Sequence, residues 1–422
     1  MTSRAIHNAA RQRKSEGPDF MLKGLVGAAV LLLTIGPAHA QTTSPVSGGP
    51  SAPATEPAEP AAQTQTQTTV TATPALDGFV VGGFSFRPGG RVKLDIIRDF
   101  DPIGSEDSFD PRTIPLDDSE GGNSNLHAKE TRLTLDIRGP VEGRELRMYV
   151  ETDFYGSSSV LRLRQAFGSW GGLLAGQAWS TFVDDANFPN TIDFESPMAF
   201  PSIRQAQLRF TSRLGAKLSW SAAVEDNKSQ IQPPAGVPGK AEFPMPDLVG
   251  RLKFEGSAGH AFVSGFLGRA RFRPTGDEPD DQTLWGMLLS GRVKTFGSDY
   301  VYGQLTVGDG VGRYRSALTA VPDASRQLHA VGLVAAMGGY EHFWSSRLTS
   351  NFVFSQASAP EEDFYASDAN EELGYAAINL LYWFLPNRAW VGVEYLNGTR
   401  EVFGGQDGDA DRLQFAVRFN LP

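Results

Sequence analysis

The sequence predicts an all-β fold, a 16-stranded antiparallel transmembrane β-barrel with short periplasmic turns and long extracellular loops, and three observations carry that reading. Segments of roughly ten residues alternate apolar and polar side chains with period two, bounded by Gly, Pro, Asp and Asn. Sixteen such segments follow one another, and the connections between them nearly alternate between long and short. Beyond the N-terminus no stretch approaches ~18 consecutive apolar residues, so no membrane-spanning helix is expected. Lipid cannot hydrogen-bond a free sheet edge, which is why such strands must close on themselves. A soluble sandwich or propeller accounts for the alternation but not for the loop asymmetry.

Composition narrows the chemistry. The 422 residues hold 46 Gly and 27 Phe but no Cys, and the net charge is −10. Without Cys there is no disulfide scaffold, no thiolate metal site and no thiol nucleophile. An acidic chain with no dominant basic face is a poor nucleic-acid binder. No metal ion and no cofactor is expected.

The N-terminus carries the export signals. Residues 1–40 read as a signal peptide: a basic n-region, an apolar run across 22–36 and the cleavage motif Ala38-His39-Ala40. Met21 by itself begins a leader of more typical length. Cleavage removes Arg4, Arg11, Arg13, Lys14 and Lys23 against Glu16 and Asp19, leaving the exported chain more acidic. Residues 41–77 are rich in Gln, Thr and Pro and cannot bury enough apolar surface to offset their ordering entropy; a disordered periplasmic segment is expected there. The barrel takes 78–422, placed in the outer membrane of a Gram-negative-type bacterium.

The strands are expected near 90–99, 128–138, 144–154, 160–168, 172–180, 203–213, 216–226, 247–256, 259–270, 283–296, 299–308, 327–338, 343–356, 372–384, 388–398 and 410–421. The last shows the pattern well: Leu413, Phe415, Val417, Phe419 and Leu421 take one face, Gln414, Ala416, Arg418 and Asn420 the other. Short connections fall at 139–143, 169–171, 214–215, 257–258, 297–298, 339–342 and 385–387. Long ones alternate with them, except that 155–159 is short where a long loop is due. Phe100, Phe154, Trp220, Trp344, Trp383, Phe384 and Trp390 fall near strand ends, where amphipathic rings favour the headgroup level. The chain closes on Leu421-Pro422, whereas outer-membrane barrels usually end in an aromatic residue.

Charge is unevenly distributed. Acidic residues crowd the long loops, where they read as solvated surface. Arginines instead sit within strands, among them Arg132, Arg162, Arg164, Arg209, Arg269, Arg271, Arg292 and Arg418. A lipid-facing Arg costs ~2–4 kcal/mol at the bilayer midplane, so these are assigned to the lumen, where they would concentrate anions. Arg269, Arg271 and Arg273, at alternate positions, would form one stripe. Wall acids such as Glu151 and Asp153 are available to pair with some of these arginines. The long, apolar loop 181–202 is expected to fold inward as a constriction, with Asp184, Asp185, Asp193 and Glu195 facing the wall arginines.

The runs Gly90–Phe100, Thr131-Arg132-Leu133, Val150–Phe154, Leu161–Gly168, Leu174–Phe182 and Arg204–Phe210 resemble the DcaP-like outer-membrane porins, densely over 90–213 and diffusely beyond. The resemblance implies a homotrimeric diffusion channel, general or dicarboxylate-preferring, with outer-membrane lipid and small anionic solutes as its partners. It also implies that Arg132, Arg162, Arg164, Arg209 and Lys93 line the pore. Two competing classes remain. A barrel enzyme of lipase or protease type would have to draw on His127, His260, His329 or His342, none of which sits in a GxSxG or HExxH context. An adhesive or structural barrel would keep its lumen closed.

Overall fold

A sheet with one lipid face and one wet face is stable in a bilayer only when its first strand pairs with its last. Here it does. The computed structural model describes residues 78–421 apart from 118, 228, 234, 235 and 316; the readings of the leader and of the 41–77 tract lie outside the described residues. Sixteen strands form the wall: β1 (Phe84–Asp99), β2 (Arg132–Val141), β3 (Arg144–Asp153), β4 (Arg162–Trp170), β5 (Leu173–Trp179), β6 (Arg204–Arg213), β7 (Leu218–Glu225), β8 (Asp247–Gly256), β9 (Gly259–Pro274), β10 (Asp280–Lys294), β11 (Tyr300–Asp309), β12 (Gly332–Phe343), β13 (Leu348–Ser358), β14 (Asn370–Leu385), β15 (Ala389–Val402) and β16 (Asp407–Asn420). Each pairs antiparallel with the next. β1 closes the ring, pairing with β2 from Ser85↔Arg138 to Arg91↔Arg132 and with β16 from Arg91↔Asn420 to Asp99↔Arg412. Gly90 makes that hand-over possible: its φ is +134°, and a Cβ there would lie 2.1 Å from the Arg132 carbonyl.

The inside-out distribution of side chains follows from lipid being the outer solvent. On β1, Val92, Leu94 and Ile96 are exposed while Lys93 and Asp95 between them, and Asp99 farther on, are buried. Turns at one rim are tight, with Glu142-Gly143 and Gly171-Gly172 all at positive φ, the geometry of two-residue hairpins. At the other rim the connections run 100–131, 154–161, 180–203, 226–246, 275–279, 310–331, 359–369 and 403–406. Two loops expected to be long, 271–282 and 399–409, are taken up mostly by longer strands.

The expected boundary between the twelfth and thirteenth strands is displaced by about five residues. The short connection expected at 339–342 lies inside β12, and the turn is 344–347. Gly339 is needed where it is because the Tyr302 ring of β11 occupies its side-chain space; a Cβ would sit 2.2 Å from that ring. The aromatic rim also needs one correction. Phe100 and Trp344 are exposed, but Trp390 is buried inside the barrel. Near the C-terminus the outer face ends in Phe419, edge-on to Phe384 at 6.0 Å.

Candidate functional site

The loop between β5 and β6, 180–203, lies inside the barrel and crosses it. Polar side chains of the wall hold it from several sides. Ser180 Oγ and the Thr181 N–H donate to Glu225 on β7 at 2.6 and 2.7 Å. Asp184 accepts from Ser290 Oγ of β10 at 2.5 Å and lies 2.8 Å from His260 Nε2 of β9. Farther round, Asn187 donates to the Gly303 carbonyl of β11 and Asn190 to Glu341 of β12. The Ile192 and Asp193 N–H groups reach Glu394 of β15 at 2.8 and 2.7 Å, and Lys93 of β1 donates to the Ile192 carbonyl at 2.5 Å. The strand beside one root of the loop and strands on the far wall are thus bridged by one segment.

Two further loops lock onto it. In 310–331, Arg315 donates to Glu195 at 2.5 Å and also binds the Ser196 carbonyl. Its neighbours Arg313 and Tyr314 both bond Asp247 of β8. The Phe182, Phe266 and Tyr314 rings pack within 5.4 Å of one another, so this part of the interior is apolar. From 100–131, the Phe109 N–H donates to Asp193 at 2.9 Å. Burial pushes the Asp193 carboxyl well above the usual carboxylate range, against the pull of Arg412, whose Nη1 lies 3.8 Å away.

Between the 188–196 stretch of the inward loop and the wall lies a cavity of about 170 Å³ lined by Arg91, Lys93, Arg132, Arg164, Arg204, Arg292 and Arg418. Its acidic lining is Glu130, Asp193, Glu195 and Glu341, so basic groups outnumber acids seven to four. One water needs about 10–15 Å³ on this measure, so the space suits a cluster of waters or a small organic solute. Some of the charge is internally compensated. Arg164 holds Glu151 and Asp153 at 2.7 Å each, Lys93 holds Asp95 at 2.9 Å and Glu130 at 3.0 Å, and Arg292 holds Glu341 at 3.1 Å. Arg204 and Arg418 have no carboxylate partner among the described residues; their guanidinium groups lie over Trp179 at 4.4 Å and Trp390 at 5.1 Å. The buried Nε atoms of Arg91, Arg132, Arg292 and Arg418 also lack a hydrogen-bond partner among the described residues.

Of the residues singled out from sequence, Lys93, Arg132, Arg164, Asp193 and Glu195 meet at this cavity. Arg162 stands next to it, bound to Asp153 at 2.8 Å and lying over the Phe194 ring of the loop. Arg209 is in register with Leu174 and Ala223, which are buried on the inner face, but it does not line the cavity. Asp184 is a buried tether of the loop and Asp185 is exposed. Arg269 and Arg271 require correction: they share the outer face of β9 with the exposed Leu267, while Phe266, Ala270 and Phe272 are buried inside. The apolar inner lining contributed by Phe182 and Tyr314 turned that strand's polarity round. Arg91 and Arg204 belong to the cavity and were not assigned to the lumen from sequence; Arg292 and Arg418, which were, also line it. Arg418 had a signal, since it shares a face with Gln414 and is in register with Trp390.

Among the described residues Asp184, His260 and Ser290 come together, but both His260 and Ser290 bond the same carboxylate oxygen, Asp184 Oδ2. A nucleophilic serine needs its proton taken by the imidazole, and this arrangement gives it to the acid instead.

A closed barrel of sixteen antiparallel strands, lipid-facing outside and polar inside with a loop folded through it, is an outer-membrane barrel of the porin type. The chain belongs to the DcaP outer membrane protein family, whose match covers residues 64–421. Among solved structures it is similar to the outer membrane channel DcaP of Acinetobacter baumannii, at 23% identity over 81% of this chain and 99% of that one, with a TM-score of 0.73. An anion-selective porin from Comamonas acidovorans (9% identity, 80% and 99% coverage, TM-score 0.55) and OmpT of Vibrio cholerae (10%, 81% and 99%, 0.53) share the fold. No curated protein matches the sequence.

Proposed function

We propose that this protein is a passive diffusion channel for small hydrophilic solutes with a preference for anions such as dicarboxylates. One observation carries the reading: the cavity beside the inward loop is lined by seven basic and four acidic groups, and two of its arginines lie over aromatic rings with no carboxylate partner among the described residues. Guanidinium offers paired N–H donors that match a carboxylate, and Lys93 adds a point charge. In this reading Arg132, Arg164, Arg204 and Arg418 stabilise the solute at the narrowest point, Arg162 and Arg209 extend the basic wall, and 180–203 sets the pore diameter. Binding must stay weak enough for release, so no energy coupling is needed. The anion selectivity of the Comamonas porin supports the direction of the preference.

Export through the leader at 1–40, insertion in a Gram-negative-type outer membrane and assembly as a homotrimer belong to the same proposal. The test is reversal potential and single-channel conductance of the purified protein in a planar bilayer under a salt gradient. Anion preference with reduced current on adding a dicarboxylate is expected. Cation preference would overturn the assigned role of the arginines, and absence of conductance from folded protein would overturn the channel itself. Light scattering in detergent reads the trimer separately.

A further inference from the structure

The arginines that left the lumen define a second feature. Arg269, Arg271 and Arg273 stand at alternate positions on the outer face of β9, next to the long-loop rim, and Lys240 is in register with Arg273. Charged side chains on the lipid face are tolerated near the interface far better than at the bilayer midplane, which places this ladder at headgroup level. Asp281 is held by Arg271 at 2.5 and 2.8 Å, and Arg269 approaches the same carboxylate only to 3.7 Å. Glu242 is taken by Arg273 at 2.9 Å. Three arginines and one lysine thus face two carboxylates on this patch; the further acids Asp277 and Glu278 lie at the loop tip, Asp277 within 3.1 Å of Arg326. Arg269, the member nearest the membrane, has 47% of its side chain exposed.

Immediately below the ladder the outer wall is hollow. Phe210, Ala222, Gly250, Gly265 and Met287 lie in one register row across β6 to β10. The row above it, toward the rim, carries Val224, Leu248 and Leu267, and the row below it Trp220, Leu252 and Val263. The result is an apolar groove three strands wide, roughly 14 Å at the usual strand spacing. Packing inside the barrel does not explain the two glycines. A Cβ at Gly250 would meet nothing within 4 Å, and one at Gly265 only the Gly286 carbonyl at 3.4 Å. From Gly265 to Arg269 is four residues, about 13 Å along the strand. An acyl chain in the groove would therefore bring a phosphate close to the guanidinium groups.

We propose that this face is a binding site for the phosphorylated glycolipid of the outer leaflet, lipid A, with one acyl chain in the Ala222–Gly250–Gly265 groove and a phosphate on Arg269 and its neighbours. The extracellular position of the rim selects a glycolipid over a phospholipid, because that leaflet faces the long loops. The site is separate from the lumen, so its failure would leave the channel reading untouched.

Native mass spectrometry of the delipidated full-length protein, titrated with diphosphorylated lipid A, tests the proposal. Saturable binding is expected, weakened about tenfold in Arg269→Gln/Arg271→Gln through loss of charge-assisted bonds. Gly250→Leu fills the groove without disturbing the interior and should weaken binding about tenfold through lost chain burial. Both variants should keep wild-type conductance, which shows that the barrel is intact. Equal binding of phosphatidylglycerol or of dephosphorylated lipid A would overturn the assignment, as would undiminished lipid A binding in Gly250→Leu. A change of oligomeric state in Gly250→Leu would also overturn it, by making the groove an interface between barrels.

Discussion

Removing Arg204 and Arg418 together is the sharpest test of how the cavity selects its solute. Among the described residues neither holds a carboxylate, in contrast to Arg164, whose removal would release both Glu151 and Asp153. Take a carboxylate in this cavity, of about 170 Å³, placed about 5 Å from each guanidinium. Coulomb's law at that distance gives about 1 kcal/mol per charge in a water-like lumen and about 3 kcal/mol at an effective dielectric constant of 20. Screening at ordinary ionic strength acts over about 10 Å and leaves most of this intact. Even the lower figure changes an anion's occupancy about fivefold per arginine. The double variant Arg204→Ala/Arg418→Ala should therefore lower the anion-to-cation permeability ratio by at least about tenfold, read as a shift of reversal potential under a salt gradient. Heat-modifiable mobility in detergent checks that the barrel is closed. A folded double variant with the wild-type reversal potential would refute the reasoning.

Other outcomes follow from the same geometry. Because burial raises the Asp193 carboxyl, it takes up its proton at a higher pH than an ordinary carboxylate; anion preference should rise as the pH falls through that titration, and the rise should vanish in Asp193→Asn, measured again by reversal potential. Asp184→Ala leaves His260 and Ser290 without their shared acceptor, at about 1–3 kcal/mol for each buried group, so the inward loop should loosen and single-channel current become larger and noisier. Gly339→Val drives a side chain into the Tyr302 ring and should cost about 1–3 kcal/mol, lowering the temperature of barrel denaturation. Gly338→Val, with nothing within 4 Å of its Cβ, should denature like wild type.

Much of the wall was legible because its determinant is local. Period two along a strand records two different solvents, and every one of the sixteen strands overlaps a segment where that alternation is visible. The misplaced turn at 339–342 marks the limit of such reading: Gly339, kept to make room for the Tyr302 ring on the neighbouring strand, looks in sequence like a glycine kept for a turn. Arg132 and Arg164 were found because arginines alternating with apolar residues on these strands do face inward, whereas Lys93 came from the family resemblance.

Which face of a strand is the inner one is a different question. Alternation states that two faces differ, and on β9 both faces carry large apolar residues, Phe262, Phe266 and Phe272 on one and Val263 and Leu267 on the other. The choice between them was made by loops distant in sequence: Phe182 and Tyr314, folded into the lumen, supply an apolar surface that buries the phenylalanines and sends Arg269 and Arg271 to the outer rim. The cavity was decided in the same way. Arg204 and Arg418 lie far apart in the chain and meet only because the sheet closes and the loop crosses it. Sequence by itself determined the strands, their alternation and the supply of basic residues, since these depend on neighbours a few positions away. Tertiary structure alone decided which charges share a space, because that depends on closure and on what fills the interior.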